Sequence, residues 1–130
     1  MNGRMWIRDR DETPQGFPLK ELLRGVRSLF AREQFKLEIY RAEGYGLQIN
    51  TWRTALERED HIVVDFLSLD ALAEGTAEWF YSLDACFIST SVTVGLGLHD
   101  SSALYVEATN NALNQLKALF NDITYEKVRE

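Results

Sequence analysis

The sequence predicts an α+β fold: a mainly antiparallel sheet of five to six strands with three helices packed on one face, in the order (β)α-βββ-α-ββ-α. Three observations carry this. In Ala85–Ala108, Val92, Val94, Leu96 and Leu98 alternate with Ser91, Thr93, Gly95 and Gly97. Strand side chains point to alternate faces, so this pattern makes a sheet with one apolar face and one small, smooth face. Second, apolar residues near each end of the chain recur at three- and four-residue steps, which a helix gathers into one stripe. Third, the period-two segments are joined by short polar turns, and such connections favour antiparallel pairing with helices on one side.

Taken in order, Met5–Arg8 reads as a short strand and Asp9–Gly16, with Pro14 and Gly16, as a loop. Pro18 opens a helix expected over Pro18–Glu33, because a first-turn N–H has no intrahelical partner to lose. Its stripe is Leu19, Leu22, Leu23, Val26, Leu29 and Phe30, with Lys20, Arg24 and Arg27 off it. Phe35–Ala42 switches to period two, with Phe35, Leu37 and Ile39 inward and Lys36, Glu38 and Tyr40 outward. Glu43–Gly46 is a glycine-rich turn, after which Leu47–Trp52 is expected to return as the second strand of a hairpin. Thr54–Asp60 is a polar connection, and His61–Leu67 is a third expected strand.

Ser68–Leu83 is expected to be helical through Leu69, Leu72, Thr76, Trp79, Phe80 and Leu83. Gly75 costs up to about 1 kcal/mol there relative to alanine and marks where a break would fall. Two central strands follow, joined by His99-Asp100-Ser101-Ser102, with Leu104 and Val106 inward on the returning strand. Thr109 is a natural N-cap for the last helix, whose stripe is Leu113, Leu116, Phe120 and Ile123. One domain is expected over residues 1–130, with 1–16 a short strand plus loop and 124–130 a frayed tail.

Charge is distributed unevenly. Residues 1–58 carry eleven basic and eight acidic side chains, and residues 59–130 carry three basic and twelve acidic, for a net charge of −6. No Lys or Arg lies between Arg58 and Lys117. Such a surface repels nucleic acid, whose binding depends on Lys and Arg, and steers a basic protein toward it. Absence of a long apolar run or an apolar leader leads to the expectation of a cytoplasmic chain with no membrane partner. The single cysteine, Cys86, fits a reducing compartment and reads as a small buried hydrophobe.

Several strings suggest chemistry and then lack its other parts. His99-Asp100-Ser101-Ser102 holds the residue types of a hydrolase triad, but neighbours in a turn diverge, no G-x-S-x-G elbow is present, and Asp and Ser suit a turn. Gly95-Leu96-Gly97 lacks the remaining glycine, the lysine and the helix of a phosphate loop, and glycine on a strand face marks close packing. The two histidines, His61 and His99, have no metal-binding spacing, so neither a metal nor a cofactor is expected. Asp70, Glu74 and Glu78 recur every four residues and would form one acidic ridge on a continuous helix. Outside the clear stripes lie Trp6, Tyr40, Tyr45, Trp52, Tyr81 and Tyr105, residue types that suit an interface core.

The expected function is therefore protein binding. In size and charge the chain is similar in type to the immunity proteins, small intracellular inhibitors of secreted toxins, and to type III secretion chaperones, with no motif shared with either. The similarity to immunity proteins implies an inhibitor that neutralises or escorts a basic toxin or effector domain, and a nuclease, with its basic nucleic-acid site, would suit this charge. The residues expected at the contact are Asp70, Glu74, Glu78, Asp84, Asp100 and Tyr105, with none catalytic. Two alternatives stand: a subunit or secretion chaperone of a larger assembly, and a small enzyme or ligand-binding module using the His99–Ser102 turn.

Overall fold

A computed structural model describes residues 3–127 of the chain. Along it run β1 (Gly3–Ile7), α1 (Leu19–Leu29), β2 (Lys36–Tyr45), α2 (Leu47–Leu56), β3 (Ile62–Val64) and α3 (Phe66–Glu74). These are followed by β4 (Trp79–Ile88), β5 (Thr93–His99), β6 (Ala103–Ala108), α4 (Asn110–Leu116), a 3-10 turn at Lys117–Leu119 and β7 (Ile123–Lys127). The strands form one sheet in the order β3-β2-β4-β5-β6-β1-β7. Every neighbouring pair is antiparallel. The α+β class and the antiparallel sheet are as expected, but the described residues hold seven strands and four helices rather than five to six and three.

Ala85–Leu98, expected as one central strand, is the end of β4 and β5 joined by a turn in which the Ser89 N–H donates to the Val92 carbonyl at 2.9 Å. Four other segments depart from the expectation. Leu47–Trp52 is the start of α2 rather than a hairpin strand, because Ile49 and Trp52 bury one helical face against the core. The third strand stops at Val64, where Asp65 accepts a hydrogen bond from the Leu67 N–H at 3.0 Å and caps α3. That helix ends at Gly75, so the expected helix over Ser68–Leu83 is α3 followed by β4. Thr109 caps α4 as expected, accepting from Ala112 N–H, but Ile123 belongs to β7 and the expected frayed tail is an edge strand as far as Lys127. Residues 128–130 of that tail lie outside the described residues.

The core lies on one side of the sheet. Met5, Ile7, Leu37, Ile39, Leu83, Phe87, Val94, Leu96, Leu98, Leu104 and Val106 join helical Leu22, Leu23, Val26, Ile49, Leu69, Leu113 and Leu116 in one buried cluster. Each fully buried side chain of this kind contributes about 1.5–3 kcal/mol relative to exposure. The helices therefore cover the face that alternation assigns to these residues, and the other set of strand side chains is left without a described helix over it.

Candidate functional site

Cross-strand register lays out the uncovered face. One row runs Val63, Glu38, Cys86, Gly95, Glu107, Arg4. The next runs Arg41, Asp84, Gly97, Tyr105, Trp6, Thr124. Tyr40 is on this face by alternation, and a register shift between Ile39 and Arg41 keeps Arg41 there beside it, since a bulge sets two residues opposite one. The middle of the face is small and the rims are aromatic and charged.

Tyr105 folds back over Gly97, where an added Cβ would collide with the Leu83 carbonyl and the Tyr105 ring. Its hydroxyl donates to Asp84 Oδ1 at 2.5 Å. Burial first, and then that carboxylate, push the Tyr105 phenol well above its ordinary range. The Arg4 guanidinium donates to Glu107 Oε1 at 2.5 and 2.8 Å and lies 5.2 Å from the ring centres of both Trp6 and Tyr105. The Trp6 indole N–H donates to Glu126 Oε2 at 2.9 Å, and the His99 ring meets Trp6 edge-on at 5.9 Å.

Across the face, Tyr40 donates its hydroxyl to Glu38 Oε1 at 2.5 Å. Lys36 Nζ and His61 Nε2 lie 3.1 and 3.5 Å from Glu38 Oε2. The Tyr40 bond, followed by that of Lys36, holds the Glu38 carboxyl below the usual range, and the same carboxylate pushes the Tyr40 phenol up to about 12. Cys86 sits in the row between Glu38 and Glu107. It is half-buried on the uncovered face rather than buried in the core, and burial first, then those two charges, raise its thiol pKa. At neutral pH these groups are a thiol and two phenols, not a thiolate or phenolates.

Three of the six expected contact residues come together here. Asp84 and Tyr105 bond to each other, and Asp100 stands in the β5–β6 turn, where its charge and that of Asp84 both act on Arg41. The other three do not form the expected ridge. Asp70 and Glu74 face α1, with Asp70 Oδ2 3.8 Å from Arg27 Nη1 and Glu74 Oε1 2.5 Å from Arg24 Nη2. Glu78 lies beyond the helix and accepts the Ile49 N–H at 3.1 Å, capping the first turn of α2. Of the aromatic candidates, Trp6, Tyr40 and Tyr105 are on this face, whereas Trp52 is core and Tyr45 stacks on Trp79 at 4.5 Å at the far end of β2. Arg4, Glu38 and Glu107 join this face by the alternation of β1, β2 and β6, which turns them away from the core, whereas Arg41 reaches it only through the register shift after Ile39, which plain alternation does not show.

The His99–Ser102 turn is a turn in fact as in expectation: Ser102 N–H and Oγ both bond the His99 carbonyl, at 2.8 and 2.6 Å. Its two central residues, Asp100 (φ 47°) and Ser101 (φ 56°), are left-handed, and Ser101 N–H donates to the Tyr81 carbonyl at 2.8 Å. Among the described residues no group of three or more His, Cys, Asp and Glu side chains could hold a metal ion, and no helix is long and apolar enough to cross a membrane. Compared with protein families, with curated proteins and with solved structures, the chain matches none.

Proposed function

We propose that the chain is a protein-binding domain, an immunity-type inhibitor that neutralises or escorts a basic toxin or effector domain, and that it docks through the uncovered face of its sheet. The observation that carries this reading is the composition of that face. Tyr, Trp and Arg dominate interface energetics: Tyr and Trp combine large apolar area with a polar handle and only two torsions to freeze, and Arg adds a planar fork of donors. Here Trp6, Tyr40, Tyr105, Arg4 and Arg41 share one face, with Tyr40 46% exposed and Tyr81, at its border, 47% exposed. Their polar ends are preset by Glu38, Glu43, Asp84, Glu107 and Glu126, so little ordering remains to be done on contact. The protonated thiol and phenols suit contact better than nucleophilic attack.

The test has two steps. The chain is used for affinity capture from its native cell with elution by a salt gradient, and the recovered protein is purified for binding measurements. The paired substitution Tyr40→Ala and Trp6→Ala should then weaken binding by about 2 kcal/mol or more, the level of a hot spot. The pair Asp70→Lys and Glu74→Lys should leave binding within a few-fold. The reverse pattern would return the site to α3 and refute docking on the sheet.

A further inference from the structure

We infer that the cleft between the end of α1 and the start of α3 binds a small apolar molecule carrying a carboxylate, of the class of hydrophobic α-amino acids. The cleft lies on the helix side of the sheet, apart from the uncovered face. It is a half-open groove of about 350 Å³ lined by Arg27, Phe30, Glu33, Phe35, Phe66 and Leu67, at the lower end of the range that small-molecule sites occupy, about 300–1,000 Å³.

Its floor is aromatic. Phe35 packs at 5.7 Å and Phe66 at 5.2 Å on the buried Phe87 ring, and Phe30 meets Phe35 edge-on at 6.0 Å. All three floor rings remain partly exposed, and Leu67 at the rim is 62% exposed. An apolar body of one side chain would cover these rings.

Two opposite charges line the same cleft, and each keeps capacity for a ligand. The Arg27 guanidinium lies 4.7 Å over the Phe66 ring. Its Nη1 is 3.8 Å from Asp70 Oδ2, too long for a hydrogen bond, so its fork of donors is open to a carboxylate. Glu33 is fixed from behind: Ser89 Oγ and Ser91 Oγ donate to its Oε1 at 2.6 and 2.7 Å. Those bonds, Ser89 first, keep it ionised, and its Oε2 has no bond to a described residue. A pure hydrocarbon would desolvate both charges without replacing their water. A phosphate would face Glu33. A molecule with an apolar body, a carboxylate for Arg27 and an ammonium for Glu33 satisfies all three parts.

The experiment is an amide-correlation NMR titration of the full chain with L-phenylalanine, 3-phenylpropionate (no ammonium) and phenethylamine (no carboxylate). Saturable shifts confined to residues lining the cleft are expected for L-phenylalanine, with each analogue weaker by about tenfold, the size of one charge-assisted bond. Arg27→Met should abolish the advantage of L-phenylalanine over phenethylamine, and Glu33→Gln its advantage over 3-phenylpropionate. Shifts that do not saturate, that fall elsewhere, or that ignore both variants would overturn the inference. Because the wild-type titration alone can do so, it does not depend on either variant folding.

Discussion

Gly97 and the two residues of the β5–β6 turn show how single positions set the uncovered face. With no room for a Cβ between the Leu83 carbonyl and the Tyr105 ring, Gly97→Ala must move one of them. It should cost about 1–3 kcal/mol in urea denaturation, the range of overpacked sites, and should loosen the Tyr105–Asp84 bond. Asp100 and Ser101 carry the opposite sign. Left-handed backbone disfavours any residue with a Cβ, so Ser101→Gly should stabilise the chain by about 0.5–1 kcal/mol. Glu38 gives a prediction in pH. Its carboxyl titrates lower in the fold than the ordinary value of about 4.3, so the unfolded chain binds more protons in that range. The stabilisation is full above the unfolded pKa and is lost as pH falls through the folded one. Urea midpoints measured from pH 6 downward should therefore fall more gently in Glu38→Gln than in the parent, and parallel curves would remove Glu38 from the acid response.

At the level of elements, α2 is held at its first turn by a side chain from outside the helix. Glu78 accepts the Ile49 N–H, a donor that no residue inside the helix can satisfy. Glu78→Ala should cost about 1 kcal/mol, as loss of a cap does, and Glu78→Gln should recover part of it in thermal denaturation. The same elements explain what the sequence concealed. In β4 the core residues Phe80 and Leu83 are three apart because the register shifts between Glu43 and Gly44 on the partner strand. Ile39 and Ala42 of β2 are three apart for the same reason at the other shift. A bulge inserts one residue and so imitates the step of a helix, which is how Trp79–Leu83 came to look continuous with α3. The converse happened in α2, where Leu47 and Ile49 alternate like a strand over too short a run to display Ile49, Trp52 and Leu56 as a helical stripe. By contrast β5, with neither bulge nor break, was legible residue by residue. Alternation turns Tyr105 to the face opposite Leu104 and Val106, but its pairing with Asp84 and the clamp of Arg4 on Glu107 need the strand order β4-β5-β6-β1, which no local pattern encodes.

Over the whole molecule, the two charge halves fold onto each other. Arg4 pairs with Glu107, Arg24 with Glu74 and Arg27 lies near Asp70, so three arginines of the basic half offset carboxylates of the acidic half. These contacts reduce the exposed negative surface that composition alone suggests, and they leave the net charge of −6 unchanged. Net charge acts at a distance and governs encounter, whereas the contact face governs how long the complex lasts. The two contributions to binding of a basic partner should therefore separate in kinetics. Raising salt from low to physiological ionic strength should slow association of the parent and of Tyr40→Ala alike, because the Debye length shortens to about 8 Å for both. Tyr40→Ala should act instead on dissociation, speeding it at every salt concentration. Surface plasmon resonance across a salt series would resolve this. A Tyr40→Ala effect confined to the association rate would mean that the face only steers and that the lasting contact lies elsewhere.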